Sequence, residues 1–148
     1  MTNISMEPLG NSDFSLLLVE DDDVDVYWIQ RLLVRLPHKV NIIRAHHGEE
    51  ALSILDKYVN VGALTSSFVI LTDLNMPCMN GFEFLKVIDQ DETLQDVSVF
   101  VYSTSDESLD KQKARQYRID DYLVKPLSKN QLQAVFDSCK ETELPSVS

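Results

Sequence analysis

Five short apolar runs alternate with five segments of helical periodicity, and this alternation narrows the possible folds most. "FSLLLVE" (Phe14–Glu20), "SFVILTD" (Ser67–Asp73) and "VSVFVYST" (Val97–Thr104) are compact and largely apolar, as strands buried on both faces must be. "KVNIIRA" (Lys39–Ala45) and "DYLVKP" (Asp121–Pro126) are weaker runs of the same kind. Between them, Val26, Ile29, Leu33 and Leu36 recur at helical spacing until Pro37 stops the pattern. Ala51, Leu52, Leu55 and Tyr58 form a second face, and Phe82, Leu85 and Ile88 a third. Leu109 and Ala114 are expected to point inward from a polar fourth helix; Leu132, Val135 and Phe136 mark the fifth.

Strand–helix alternation predicts an α/β fold: a five-stranded doubly wound parallel sheet with helices on both faces. The expected strand order is flavodoxin-like, 2-1-3-4-5. The 148 residues suit one domain, expected over 13–140 between polar tails at 1–12 and 141–148. Thirteen Lys and Arg against 24 Asp and Glu give a net charge of −11. Such a surface argues against nucleic-acid binding and against docking on anionic membranes. "LLLV" is far too short for a signal-peptide core or a membrane span. Cys78 and Cys139 form neither a CxxC pair nor a disulfide framework, so a reducing, cytoplasmic setting is expected.

In such a sheet, ligands bind beyond the carboxyl ends of the strands. The first strand ends in Glu20 and Asp21, the third in Asp73, the fourth in Ser103 and Thr104, and the fifth in Lys125 before Pro126. Crowded carboxylates repel one another unless a cation sits among them. Oxygen ligands of this kind select a hard ion such as Mg²⁺ or Mn²⁺. A carboxylate beside that ion can attack phosphorus, and an ammonium and a hydroxyl can meet the phosphoryl oxygens. Taken singly, each residue has a plainer reading. Asp22 and Asp23 suit a helix cap, and "TSDE" (Thr104–Glu107) has capping-box spacing. His38, His46 and His47 lack metal-site spacing, and "AHHGEE" reads as a polar strand-to-helix turn.

The stretches "LLLVEDD", "ILTDLNMPCMNGFEFL", "VFVYSTSDE" and "DYLVKPL" together resemble the receiver domains of response regulators, over roughly Phe14 to Cys139. The 30 positions from Asp73 to Ser103 and the 22 from Ser103 to Lys125 are also similar to the family's spacing. The resemblance implies that Asp73 is the phosphorylated residue. It implies that Asp21 and Asp73 ligate the metal, Asn75 through its backbone carbonyl and Glu20 through water. Ser103 and Thr104 would bind the phosphoryl group, Lys125 would pair with it, and Ser103 and Tyr122 would form the switch. Lys125–Pro126 becomes a candidate cis peptide, and Pro77 and Gly81 would shape the loop after Asp73. A histidine kinase or phosphotransfer protein is the implied donor. Nine residues follow Cys139, so output is expected through contact with a downstream protein, or through a homodimer, at the face of helix 4, strand 5 and helix 5. "LLVEDDDVDV" and "STSD" are similar to the subgroup associated with phytochrome-type kinases.

Two features depart from the family pattern. Arg118-Ile119 stands where the family has Gly-Ala, and extra residues fall in "LPHKVN" and "NVGALTSS". Two rival readings have distinct requirements. An aspartyl-nucleophile phosphatase needs an acid two residues after its nucleophile, where this chain has Asn75. A non-phosphorylated pseudo-receiver should have lost an acid or the lysine, and all are present.

Overall fold

The computed structural model describes residues 12–76 and 79–141. Pro77, and both expected tails apart from Ser12 and Glu141, lie outside the described residues. The sheet comprises β1 (Phe14–Val19), β2 (Val40–Ala45), β3 (Phe68–Thr72), β4 (Ser98–Ser103) and β5 (Asp121–Val124). All pairings are parallel, in the order β2-β1-β3-β4-β5. The crossovers carry α1 (Asp23–Leu33), α2 (Gly48–Asn60), α3 (Gly81–Gln90) and α4 (Ser108–Ala114), and α5 (Lys129–Glu141) closes the chain.

Every residue of β1, β3 and β4 is buried, because helices cover both faces of the sheet. Strand period divides these residues into two cores. Leu16, Leu18, Val69, Leu71 and Phe100 join Ile29 of α1 and Phe136 of α5. Leu17, Val19, Ile70, Val99 and Val101 join Leu55 of α2 and Phe84 and Leu85 of α3. Four of the described α-helices begin on side-chain caps that satisfy orphan N–H groups, α5 through a reciprocal pair between Ser128 and Gln131. Asp22 accepts from Val24 at 2.9 Å, His47 Nδ1 from Glu50 at 3.2 Å, and Asn80 and Glu83 form a reciprocal capping box.

Several expectations need correction. Leu109 is 76% exposed. Five residues separate it from buried Ala114, a rotation of about 140° on the helix in either sense, so the two cannot share a face. On α3 it is Phe84 that is fully buried; Phe82 is half-buried and lies under the Lys113 ammonium at 4.3 Å. "TSDE" does not cap α4, which begins on Glu107 without a side-chain cap bond. Instead, Ser105 Oγ accepts from the Glu107 N–H and donates to Asp110.

Arg118 explains the departure at its corner. Its backbone N–H donates to Asp89, and its guanidinium donates to the Val97 and Leu94 carbonyls at 3.2 and 2.8 Å. A side chain therefore ties together the end of α3 and the 3-10 turn Glu92–Leu94 before β4.

Gly81 opens α3 where the chain doubles back, its N–H donating to the Leu74 carbonyl at 2.8 Å. A Cβ here would lie 2.4 Å from Leu74 Cα and 2.6 Å from the Asp73 carbonyl oxygen, both backbone atoms. Gly81→Ala should therefore cost about 1–3 kcal/mol, the range for overpacking, as a lowered urea midpoint at unchanged m-value. Unchanged stability would show that the loop after Asp73 yields freely.

Candidate functional site

The sheet register builds the site. Val19 pairs with Thr72 and Thr72 with Val101, so the next positions, Glu20, Asp73 and Tyr102, form one lateral row. The ladder continues into it: the Asp73 N–H donates to the Val19 carbonyl at 3.0 Å, and the Glu20 N–H to the Ala45 carbonyl at 2.9 Å. Lys125 enters from beyond β5, its N–H on the Ser103 carbonyl at 2.8 Å. The Lys125–Pro126 peptide is cis.

One ammonium holds this row together. Lys125 Nζ lies 2.9 Å from Glu20 Oε1, 2.8 Å from Asp25 Oδ2 and 3.3 Å from Asp73 Oδ2. An ammonium has three donors, and here each meets a carboxylate. Its charge still leaves two of the three acids uncompensated. Glu20 is fully buried and Asp73 is 6% exposed, so water screens them little. Uncompensated buried charge costs several kcal/mol, which makes the cluster attractive to a cation.

Asp73 is oriented by its own loop. Its Oδ1 accepts from the Leu74 and Asn75 N–H groups at 2.8 and 3.4 Å, and its Oδ2 faces Lys125. Burial pushes the Glu20 carboxyl above its ordinary range, and the like charge of Asp73 adds to this, against the pull of the Tyr102 and Lys125 hydrogen bonds. Burial pulls the Lys125 ammonium down, but its bonds to Asp25 and Glu20 outweigh this and raise it. Burial, followed by the charge of Glu20, raises the Tyr102 phenol.

One oxygen each from Glu20, Asp21 and Asp73 lies within 4.8 Å of the others. Glu20 and Asp73 are buried and Asp21 is exposed, so the oxygens flank an opening to solvent. This all-oxygen donor set fits a hard divalent cation.

The other sequence candidates occupy a second group. Ser103 is buried and its Oγ accepts from the Ser105 N–H at 3.1 Å. Buried Tyr122 donates its hydroxyl to the Ser105 carbonyl at 3.0 Å. Ser105 thus connects the two residues, while Thr104 and Asn75 lie exposed at the rim.

Two members of the cluster escaped the sequence reading. Asp25 reaches Lys125 from the first turn of α1, where it reads as one more acid favoured near a helix N-terminus. Tyr102 donates to Glu20 Oε1 at 2.7 Å, and its ring lies under Lys125 Nζ at 4.5 Å. The signal for Tyr102 was strand parity: it precedes Ser103, so it must face the opposite side of the sheet.

These shifts fix a direction with pH. Lys125 titrates higher in the folded chain than its ordinary value of 10.5, so its contribution is complete below that pH and is lost as pH rises beyond it. Urea midpoints should fall on that alkaline limb, and Lys125→Met should flatten the fall. An equally steep fall in the variant would mean that the ammonium is not what holds the cluster.

Comparison with known proteins bears on the same residues. The family model of the response regulator receiver domain matches residues 16–137. A probable methanogenesis regulatory protein, FilR2, of Methanothrix harundinacea is 33% identical over 128 residues, covering 86% of this chain and 82% of its own length. A chemotaxis protein CheY homolog of Campylobacter jejuni is 31% identical over 113 residues, covering 76% of this chain and 82% of its own length. Among solved structures, the Mn²⁺-bound form of response regulator Rcp1 is 28% identical with a TM-score of 0.67, covering 88% of this chain and 91% of that one. The phosphorylated cyanobacterial phytochrome response regulator RcpA is 29% identical with a TM-score of 0.69, covering 89% and 92%.

Proposed function

This chain belongs to the response regulator receiver domain family, and from that premise we propose that Asp73 accepts a phosphoryl group from a phosphohistidine donor and that the modified domain signals by binding another protein. The observation that carries this reading is the Lys125 ammonium shared by Glu20, Asp25 and Asp73 at the carboxyl end of the sheet. An O–P bond forms at Asp73 as the P–N bond of the donor breaks, and the departing imidazole keeps the electron pair and gains a proton. Lys125 then exchanges a carboxylate for a phosphoryl oxygen, at little cost because the ammonium is already desolvated and placed. Glu20, Asp21, Asp73 and the Asn75 backbone carbonyl would hold Mg²⁺ or Mn²⁺, which would supply charge stabilisation of the phosphoryl oxygens. Ser103 and Thr104 donate to the remaining oxygens.

Movement of Ser103 toward that group would break its bond with Ser105 and release the hold of Ser105 on Tyr122. Ser105 also bonds Asp110 of α4, so we place the output on the face of α4, β5 and α5, where Leu109 stands exposed. That face would take a downstream protein or a second copy of the chain. The likeness to RcpA supports a phytochrome-type kinase as donor. No described helix is long and apolar enough to cross a membrane, and the net charge of −11 speaks against nucleic acid as a partner.

Intact-mass analysis after incubation with acetyl phosphate and Mg²⁺ tests the reading. The expected result is one phosphate adduct, removed by hydroxylamine and absent from Asp73→Asn. Failure of the wild type to label, where a known receiver labels, would overturn it. Asp21→Ala should lower Mg²⁺ affinity at least tenfold by removing a ligand; unchanged affinity in a calorimetric titration would refute that role.

A further inference from the structure

Tyr102 carries a hydroxyl where the surrounding core has no need of one. It is 2% exposed and packs in the α1–α5 core with Leu18, Leu71 and Phe100. A buried hydroxyl gives up water and requires a partner in return. Its partner is Glu20 Oε1 at 2.7 Å, the same oxygen that Lys125 reaches at 2.9 Å. The other oxygen, Oε2, accepts from the Asp22 N–H at 3.0 Å. Three donors from three separate stretches of the chain therefore fix the plane of a carboxylate that is itself fully buried. Glu20 contributes one of the three clustered oxygens suited to a divalent cation.

We propose that Tyr102 is a positioning residue for that cation: its hydroxyl fixes the Glu20 carboxylate so that one oxygen stays near those of Asp21 and Asp73. The inference rests on the metal-dependent reading of the site. Outer partners that orient metal-ligating carboxylates typically contribute 10–100-fold in affinity. Tyr102 acts through Glu20, not on the reacting atoms. Because its ring already supports Lys125 from below, Tyr102→Phe removes the orienting bond and leaves that support in place.

Mn²⁺ titration followed by the EPR signal of the free ion tests the proposal on the whole chain. Tyr102→Phe should bind Mn²⁺ about tenfold more weakly than wild type. In a Glu20→Ala background the same substitution should change affinity less than twofold, because the bond it removes has already lost its acceptor. Thermal unfolding supplies an independent readout: the Mn²⁺-induced rise in Tm should shrink in Tyr102→Phe. Equal affinity in Tyr102→Phe and wild type, or an equal loss in both backgrounds, would overturn the proposal. So would a wild type that binds no Mn²⁺. Acetyl phosphate labelling of the wild type decides the phosphoacceptor reading separately. A chain that labels normally while Tyr102→Phe binds Mn²⁺ unchanged loses the positioning role and keeps the function.

Discussion

The site depends on one ammonium shared among three carboxylates. Without Lys125, Glu20, Asp25 and Asp73 would face one another in a region of low dielectric, at a cost comparable with a sizeable part of a domain's stability. With it, the cluster holds together but remains short of positive charge. That deficit suits a switch. A fully neutralised cluster would have little attraction for a cation, and an unpaired one would not stay folded in this geometry. Lys125 reaches the cluster only because β5 ends beside β4 and its backbone is pinned to the Ser103 carbonyl.

Parity along the strands then separates two tasks. Glu20, Asp73 and Tyr102 fall on the face of the sheet covered by α1 and α5, where the charges meet. Ser103 and Tyr122 continue the other face, where Ser105 links them to α4. A shift of one residue in any of these strands would exchange the two sets. The apolar runs that fill both cores therefore also fix which polar residue points at which task. The packing of β1, β3 and β4, buried on every residue, makes that register costly to change.

Much of this was legible in the sequence, for physical reasons. The apolar runs specified buried strands, and strand–helix alternation specified a parallel sheet with helices on both faces. The acids, hydroxyl and lysine at the strand ends could be read because polar residues that close apolar runs stand out. Asp25 could not be read that way, since its partner lies 100 positions along the chain and its local setting is an ordinary acidic first turn. Tyr102 was hidden by its apolar ring, which fits the strand pattern with or without its hydroxyl. Leu109 misled because "DESLDKQKARQY" offers too few apolar residues to define a helical face. Arg118 showed that a corner can be closed by side-chain bonds to carbonyls, a solution that turn propensities do not encode.

The central claim is that Asp73, among the chain's many acids, takes the phosphoryl group because the cluster presents it. The most direct measurement is to treat the acetyl-phosphate-labelled chain with borohydride, which reduces an acyl phosphate to the alcohol, and to locate the product by tandem mass spectrometry. The account predicts homoserine at position 73 and at no other acid. Reduction at position 20, 21 or 25, or at none, would contradict it.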